Sequence, residues 1–148
     1  MILAIDPGGT TGLAWLSLSG EFGASEIPGD AAGFFSWWGV EGPVGVSHVV
    51  VESFIPRPGA RSMQLGAIHI IGFLMGWCQA HGVPLTVQSP GKAKSFSTDG
   101  KLKSLGLWSR GLGHAVDATR HLVVWMCGSP EGRRLKGDEW LGVLSREL

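Results

Sequence analysis

Short apolar runs closed by turn residues recur along the chain and predict the strands of a sheet. The first run ends at Asp6, the β-branched run HVVVE ends at Glu52, and Ser19-Gly20 marks a hairpin between two further runs. The segment PGGTTG is predicted as a turn. We predict five strands, over residues 1–6, 13–18, 21–27, 48–52 and 83–88. Two of these strands therefore finish on a carboxylate.

We predict a short helix over residues 31–40, a long helix over residues 60–81 and a third helix over residues 114–127, where the residues have helical spacing. Asp30 is the predicted N-cap of the first helix, and the tripeptide GSP at residues 128–130 ends the third. The basic stretch at residues 89–110 predicts a short helix and a mobile loop, and residues 131–148 predict a loop and a short terminal helix. The element order predicts one α/β domain over residues 1–148, with a mixed sheet and helices packed against it.

One segment in the middle of the chain is apolar enough to raise the question of a membrane span. Residues 62–80 carry no charged side chain, and two glycines lie at GxxxG spacing. A span needs about 20 apolar residues, whereas this segment includes Gln64, His69 and Gln79. We predict instead a helix that is buried all round, partly in a subunit interface, and no membrane partner.

Composition and charge narrow the class of protein. The 148 residues match one domain, and 44% hydrophobic against 16% charged residues excludes a disordered chain. The two cysteines have neither disulfide nor zinc spacing and no secretory signal is present, so we predict a cytoplasmic protein.

Charge is distributed unevenly along the chain. Residues 1–56 hold six acids and no Lys or Arg, whereas residues 57–120 hold eight bases and two acids. This asymmetry suits an anionic ligand beside a metal-binding carboxylate cluster.

Three acids lie where a cleft can form, with Asp6 and Glu52 at strand ends and Asp117 in the first turn of the last long helix. Buried carboxylates need a neutralising partner, and hard oxygen ligands suit Mg²⁺ or Mn²⁺. Each acid by itself is better interpreted as a cap or an ion-pair partner. The HxxD spacing puts His114 and Asp117 on one helix face and favours the metal site. His121 extends that face and is predicted to be a packing or interface histidine.

Four motifs resemble, in order, those of RuvC-type Holliday-junction resolvases. MILAIDPGGTTGLAWL resembles the opening strand and hairpin of that family, and VVVESF resembles its second acidic motif. QSPGKAK is similar to its basic segment and places Lys94 at the family's lysine, and HAVDA resembles its closing H-A-x-D-A motif. The resemblance covers residues 1 to about 127, with comparable spacings.

The resemblance implies an RNase H-like fold and a metal-dependent endonuclease that resolves four-way junctions and related branched DNA. Carried over position by position, it implies that Asp6, Glu52, His114 and Asp117 bind metal and carry catalysis, with Lys94 beside the scissile phosphate. It also implies two Mg²⁺ ions per site, about 4 Å apart and replaceable by Mn²⁺, that activate a water and stabilise the leaving oxygen. The resemblance further implies a homodimer that nicks opposed strands of the junction and needs no nucleotide cofactor.

Basic and aromatic residues outside this set are the predicted DNA contacts, in a salt-sensitive mode with little base reading. We predict contacts from Phe54, Arg57, Arg61, Lys92, Lys94, Lys101, Lys103 and Arg110. The family's base-stacking aromatic falls at Ile55 in this chain, so we expect Phe54 to substitute for it. The compact chain fits a divergent, bacteriophage-encoded member.

Three alternatives compete with this interpretation. A relative of YqgF type would keep the RNase H-like fold and bind or process nucleic acid without resolving junctions. The segment IDPGGTTG also resembles the phosphate-binding hairpin of sugar kinases and actin-like ATPases, but 148 residues leave no room for their second lobe. An inert protein of the same fold would be signalled by loss of a metal-binding acid, and all the matched acids are present.

Overall fold

A computed structural model describes residues 1–54 and 63–135, which form a mixed sheet with helices on both faces. The strands are β1 (Ile2–Asp6), β2 (Thr10–Leu16), β3 (Phe22–Pro28), β4 (His48–Glu52) and β5 (Leu85–Gln88). Their order across the sheet is β3-β2-β1-β4-β5. The pairs β1–β2 and β2–β3 are antiparallel, and the pairs β1–β4 and β4–β5 are parallel. The predicted α/β class and mixed five-stranded sheet are therefore confirmed.

Two hydrophobic cores lie on opposite faces of this sheet. The helices are α1 (Asp30–Glu41), α2 (Met63–His81), α3 (Pro90–Phe96), α4 (Asp99–Ser104), α5 (Gly113–Gly128) and α6 (Pro130–Leu135). One face packs against α1 and α2 through residues that include Phe34, Ile70 and Leu74. The other face packs against α5 through residues that include Leu122 and Trp125. Because strand side chains alternate, β1, β2 and β4 contribute to both cores.

Strand β2 differs from its prediction at both ends. It begins at Thr10 rather than residue 13, because residues 10–12 of the predicted turn pair with β3. It ends at Leu16, and Leu18 is 70% exposed in the turn that follows. The strand is thus displaced toward the N-terminus of the chain, and its first residues belong to the sheet.

The start of α1 also differs from its prediction. Asp30 is the first residue of the helix rather than its N-cap, and Gly29 precedes it with φ 93°. Asp30 itself has φ 59°, so two successive left-handed residues deliver the chain into the helix. No side chain among the described residues caps this helix end.

Within the single chain helix α2 is buried on one face only, and the prediction that a subunit interface covers the rest stays a prediction. Ile70 and Leu74 are fully buried against the sheet and α1. On the outward face, Leu65 is 55% exposed, Ile68 44% and Met75 51%. Residues 60–62 of the predicted range lie outside the described residues. No helix in the described part of the chain is long and apolar enough to cross a membrane.

The basic stretch at residues 89–110 contains two short helices, α3 and α4, where one was predicted. The second begins after Thr98, whose hydroxyl accepts the backbone N–H of Lys101. Of the predicted terminal segment, Pro130–Leu135 is helical, and residues 136–148 lie outside the described part of the chain.

Candidate active site

A row of polar residues crosses the sheet on the face covered by α5. The register joins Glu26, Gly12 and Asp6 on β3, β2 and β1, and joins Glu52 to Gln88 on β4 and β5. The parallel register of β1 with β4 places Glu52 beside Asp6. In β1, β3 and β4 the residue two positions earlier packs against α5, so alternation directs the polar residues toward the same helix. The sheet thus brings together the two strand-end acids.

Helix α5 crosses this row in close contact with the sheet backbone. At Gly12 an added Cβ would collide with the backbone carbonyl of His114, so glycine allows the helix to approach. Glu26 Oε1 accepts the backbone N–H of His114 at 2.7 Å and that of Ala115 at 3.2 Å. These donors have no partner within the helix. Asp117 is the fifth residue of α5, so the prediction that it lies in the first turn is wrong. The negative charge at the start of the helix comes instead from Glu26 of β3.

The first predicted acid, Asp6, is paired with the first residue of the HxxD motif. His114 Nδ1 lies 3.1 Å from Asp6 Oδ2, and the Asp6 side chain is only 12% exposed. The pKa of the Asp6 carboxyl is raised from 3.8 to about 6, chiefly by burial and next by the charge of Glu52. Asp117 adds a smaller increase to this pKa, and the hydrogen bond with His114 lowers it. Negative charge is therefore concentrated around Asp6.

The second acid, Glu52, is held by the histidine that was predicted to be a packing residue. His121 is 1% exposed, and its Nε2 lies 2.6 Å from Glu52 Oε2. The other ring nitrogen, Nδ1, lies 3.0 Å from Gln88 Oε1. His121 is thus a buried histidine with partners, as a packing residue requires, and one of those partners is a candidate site acid.

The third acid, Asp117, lies between two basic side chains. Lys94 Nζ is 3.2 Å from its Oδ2, and Arg120 Nε is 3.1 Å from its Oδ1. Arg120 also contacts the carbonyl of Ser97 and the carboxylate of Asp99, which ties α5 to the α3–α4 segment. The structure therefore places Lys94 in the site, next to an acid.

The carboxylates and the histidine of the candidate site are ligands of the type that a divalent cation takes. In the structure, however, they contact basic side chains or one another in ion pairs. Asp6 is the observation that supports the fit, because a buried carboxylate beside two other carboxylates is stabilised by a cation. Within the described residues, however, no three His, Cys, Asp or Glu side chains converge on one point. Glu52 contacts His121, and Asp117 contacts Lys94 and Arg120.

The predicted DNA contacts are distributed around this site. Four exposed bases lie on or after α3, namely Lys92, Lys94, Lys103 and Arg110. The Lys101 ammonium donates a hydrogen bond of 3.0 Å to the carbonyl of Phe96, so its charge is directed toward its own chain. Phe54 is half-buried, two residues after Glu52. Arg57 and Arg61 lie outside the described residues, as does Ile55.

Sequence reasoning missed Glu26, Gln88 and Arg120 and undervalued His121. Arg120 lies three residues after Asp117, a spacing that predicts contact on a helix. Glu26 is the last polar residue of β3, and Gln88 is the last residue of β5. A polar residue at the end of a strand is the same signal that selected Asp6. That signal would have found them had it been applied to every strand.

No family model and no curated protein sequence matches this chain. The solved structures that match it in fold include Thermus thermophilus RuvC in complex with a Holliday junction substrate, at 15% identity over 81% of this chain and 88% of that one, with a TM-score of 0.56. Another structure of Thermus thermophilus RuvC matches at 18% identity over 81% of this chain and 89% of that one, with a TM-score of 0.48. The first likeness shows that the chain has the RNase H-like fold of RuvC. Neither likeness supports the expected bacteriophage origin.

Proposed function

We propose that this protein is a divalent-cation-dependent endonuclease that cuts four-way DNA junctions. The observation that carries the proposal is the buried carboxylate of Asp6, which contacts His114 of α5 and lies close enough to Glu52 and Asp117 for their charges to raise its pKa. The shared fold supports it, because a protein of the same fold is known in complex with a Holliday junction substrate.

In this proposal Asp6, Glu52, His114 and Asp117 bind two Mg²⁺ ions, which Mn²⁺ can replace. Bound ions would activate a water and stabilise the leaving oxygen at the scissile phosphate. Two ligands come from the sheet and two from α5, so cation affinity depends on how the helix lies on the strands. Lys94 is 59% exposed and is able to turn from Asp117 toward the phosphate once a cation neutralises that acid.

The exposed bases of the α3–α4 region would bind phosphates on either side of the cut. Lys92, Lys103 and Arg110 are exposed and lie on or near the elements that border Asp117. Contacts of this kind release counterions, so junction affinity should fall steeply as salt rises. They read the backbone rather than the bases, which suits recognition of a branched shape.

We further propose that the protein acts as a homodimer joined through α2. The outward face of this helix carries the exposed side chains of Leu65, Ile68 and Met75. At Gly72 and Gly76 an added Cβ would meet open space, so a second helix can approach closely. Residues 62–80 contain no charge to oppose burial of that face. A dimer would present two active sites to opposed strands of one junction.

The experiment that tests this function is a nicking assay on a labelled four-way junction, beside duplex, flap and single-stranded controls. Each substrate is incubated with Mg²⁺, Mn²⁺ or EDTA and with wild type, Asp117→Asn or Glu41→Gln. We expect paired cuts in the junction with either metal, and no cuts in EDTA or with Asp117→Asn. Glu41, an exposed residue at the end of α1, serves as the matched acid-to-amide control and should cut like wild type.

The alternative is a nucleic-acid-binding protein of YqgF type that does not cut junctions. It is favoured by the ion pairs that occupy Glu52 and Asp117 and by the lack of a three-donor cluster in the described residues. Tight junction binding with no cutting in either metal would support this alternative. A protein that neither binds nor cuts the junction would overturn both functions.

A further inference from the structure

We propose that His121 and Gln88 form a positioning pair that sets the orientation of the Glu52 carboxylate in the active site. The inference rests on the proposed function, because it concerns how one proposed cation ligand is held. His121 would touch neither substrate nor metal and would act through Glu52.

The His121 ring is held on both sides. Nε2 faces Glu52 Oε2 at 2.6 Å, a distance typical of a strong hydrogen bond to a charged group. Nδ1 faces the side-chain amide of Gln88 at 3.0 Å. His121 is 1% exposed and Gln88 9%, so little water competes for either contact. The ring has little room to change its orientation.

The placement of a histidine here is not explained by packing alone. Its neighbours on the buried side of α5, Ala118, Leu122 and Trp125, join the apolar core between helix and sheet. A leucine would fill such a position without bringing polar atoms out of water, which is unfavourable unless they are paired. The imidazole instead meets a hydrogen-bonding side chain at each nitrogen. The pair therefore does something that an apolar residue cannot do, namely hold Glu52.

Glu52 needs such a holder because of its neighbour in the sheet. Asp6 lies beside it, and the charge of Glu52 is among the causes that raise the pKa of Asp6. Repulsion between the two carboxylates favours rotation of Glu52 away from Asp6. The contact from His121 engages Oε2, and among the described residues no hydrogen bond engages Oε1. One oxygen is thus held while the other stays available to a cation.

The test compares two substitutions of His121, each of which places an amide nitrogen roughly where one of the two ring nitrogens lies. In His121→Gln the amide nitrogen takes roughly the place of Nε2 and can still donate to Glu52, whereas in His121→Asn it takes roughly the place of Nδ1 and cannot. Full-length proteins are titrated with Mn²⁺ by calorimetry without DNA, and the same proteins are assayed for junction nicking. Gln88→Met, which keeps the shape of Gln88 without its amide, is the third variant. His48→Gln is the control, since His48 lies on β4, the strand that carries Glu52, and bonds Thr86 outside the site.

We expect His121→Asn to weaken Mn²⁺ binding and to slow nicking by about 10- to 100-fold, the usual effect of losing a partner of a metal ligand. His121→Gln should recover most of that loss, and Gln88→Met should show a smaller loss of the same kind. Junction affinity in EDTA should stay at the wild-type value in all of them. Equal Mn²⁺ affinities of His121→Asn and His121→Gln would overturn the inference.

Failure of the inference and failure of the proposed function give different results. If wild type neither nicks nor binds Mn²⁺, the proposed function fails and takes the inference with it. If wild type does both and the Asn and Gln variants behave alike, only the inference fails. Thermal unfolding shows whether both His121 variants fold, and if neither does, wild-type Mn²⁺ affinity in Gln88→Met would overturn the inference.

Discussion

The carboxylate of Asp6 has two kinds of neighbour that act in opposite directions. Burial and the charges of Glu52 and Asp117 disfavour its ionisation, while the hydrogen bond from His114 favours it. The first group prevails, and the pKa stands at about 6. A metal site assembled from buried acids has this property before the metal arrives, because the ligands repel one another.

This pKa predicts how Asp6→Asn changes stability without metal. The folded state holds the Asp6 proton more tightly than the unfolded chain, so wild type loses stability as pH rises from about 4 to about 6. A difference of about 2 pKa units corresponds to about 3 kcal/mol, which we take as the upper bound. In EDTA at pH 8, Asp6→Asn should therefore be more stable than wild type, and the gain should fade below pH 4.

Urea unfolding in EDTA at several pH values measures this difference directly. Glu41→Gln, at an exposed position, is the control and should leave the unfolding free energy unchanged at each pH. An Asp6→Asn protein that is less stable than wild type at pH 8 would contradict the prediction.

Lys94 and Lys92 differ in their distance from the proposed site acid Asp117. Both are exposed lysines of α3, but only Lys94 contacts Asp117, at 3.2 Å. If both bind phosphates, Lys94→Met and Lys92→Met should weaken junction binding by similar factors and reduce its salt dependence alike. Lys94→Met should in addition slow nicking of bound junction by about 10-fold or more, since it removes a charge beside the reacting phosphate. Equal nicking rates in the two variants, measured at saturating protein, would exclude a catalytic role for Lys94.

At the scale of elements, α5 is positioned by residues that belong to the strands. Glu26 on β3 accepts the first backbone N–H groups of the helix, and Gly12 on β2 allows its backbone to approach. His114 and Asp117 are therefore set against the sheet by two residues outside the proposed ligand set. An α5 that shifted would separate these ligands from Asp6 and Glu52.

Glu26→Ala should destabilise the protein by about 1–2 kcal/mol, as the loss of a helix cap does. Glu26→Gln keeps an oxygen acceptor and should retain more than half of that stability. The same order, wild type, then Gln, then Ala, is expected for Mn²⁺ affinity, because the cap sets the position of His114. Urea unfolding and calorimetric titration give the two measurements. Equal stability of the Ala and Gln variants would show that the capping contact contributes nothing.

At the scale of the whole molecule, the two faces of the sheet have different tasks. The α5 face carries the polar row and the proposed chemistry. The α1–α2 face carries the larger apolar core, and beyond it α2 leaves Leu65, Ile68 and Met75 exposed. This exposed apolar surface is typical of a protein interface.

Ile68→Glu should convert a dimer into a monomer, because a charge at the centre of an apolar helix pair is left without a partner. Ile68 is 44% exposed, so the substitution should leave the fold of the single chain intact. Analytical ultracentrifugation at micromolar concentration, with circular dichroism, tests both statements. Val40→Glu, at a position 82% exposed on α1, is the control and should not change the sedimentation. A wild type that sediments as a monomer would contradict the dimer.

Strands and helices followed from the sequence wherever the pattern was local. The run HVVVE forms β4 at the predicted residues, because alternation and β-branching act between near neighbours. The start of β2 and the cap of α1 were wrong for the opposite reason. Pairing with β3 draws residues 10–12 into the sheet, and a glycine turn replaces a side-chain cap. Both outcomes depend on contacts that a local pattern does not contain.

The candidate site divides in the same way. The strand-end positions of Asp6 and Glu52 and the HxxD spacing of His114 and Asp117 were evident in the sequence by itself. Only the folded chain brings His121 within 2.6 Å of Glu52, 69 residues away, and brings Glu26 to the first backbone N–H groups of α5, 88 residues away. Such contacts arise when strand register and helix placement bring remote residues within hydrogen-bond distance, whereas periodicity and motif spacing describe only residues that are close along the chain.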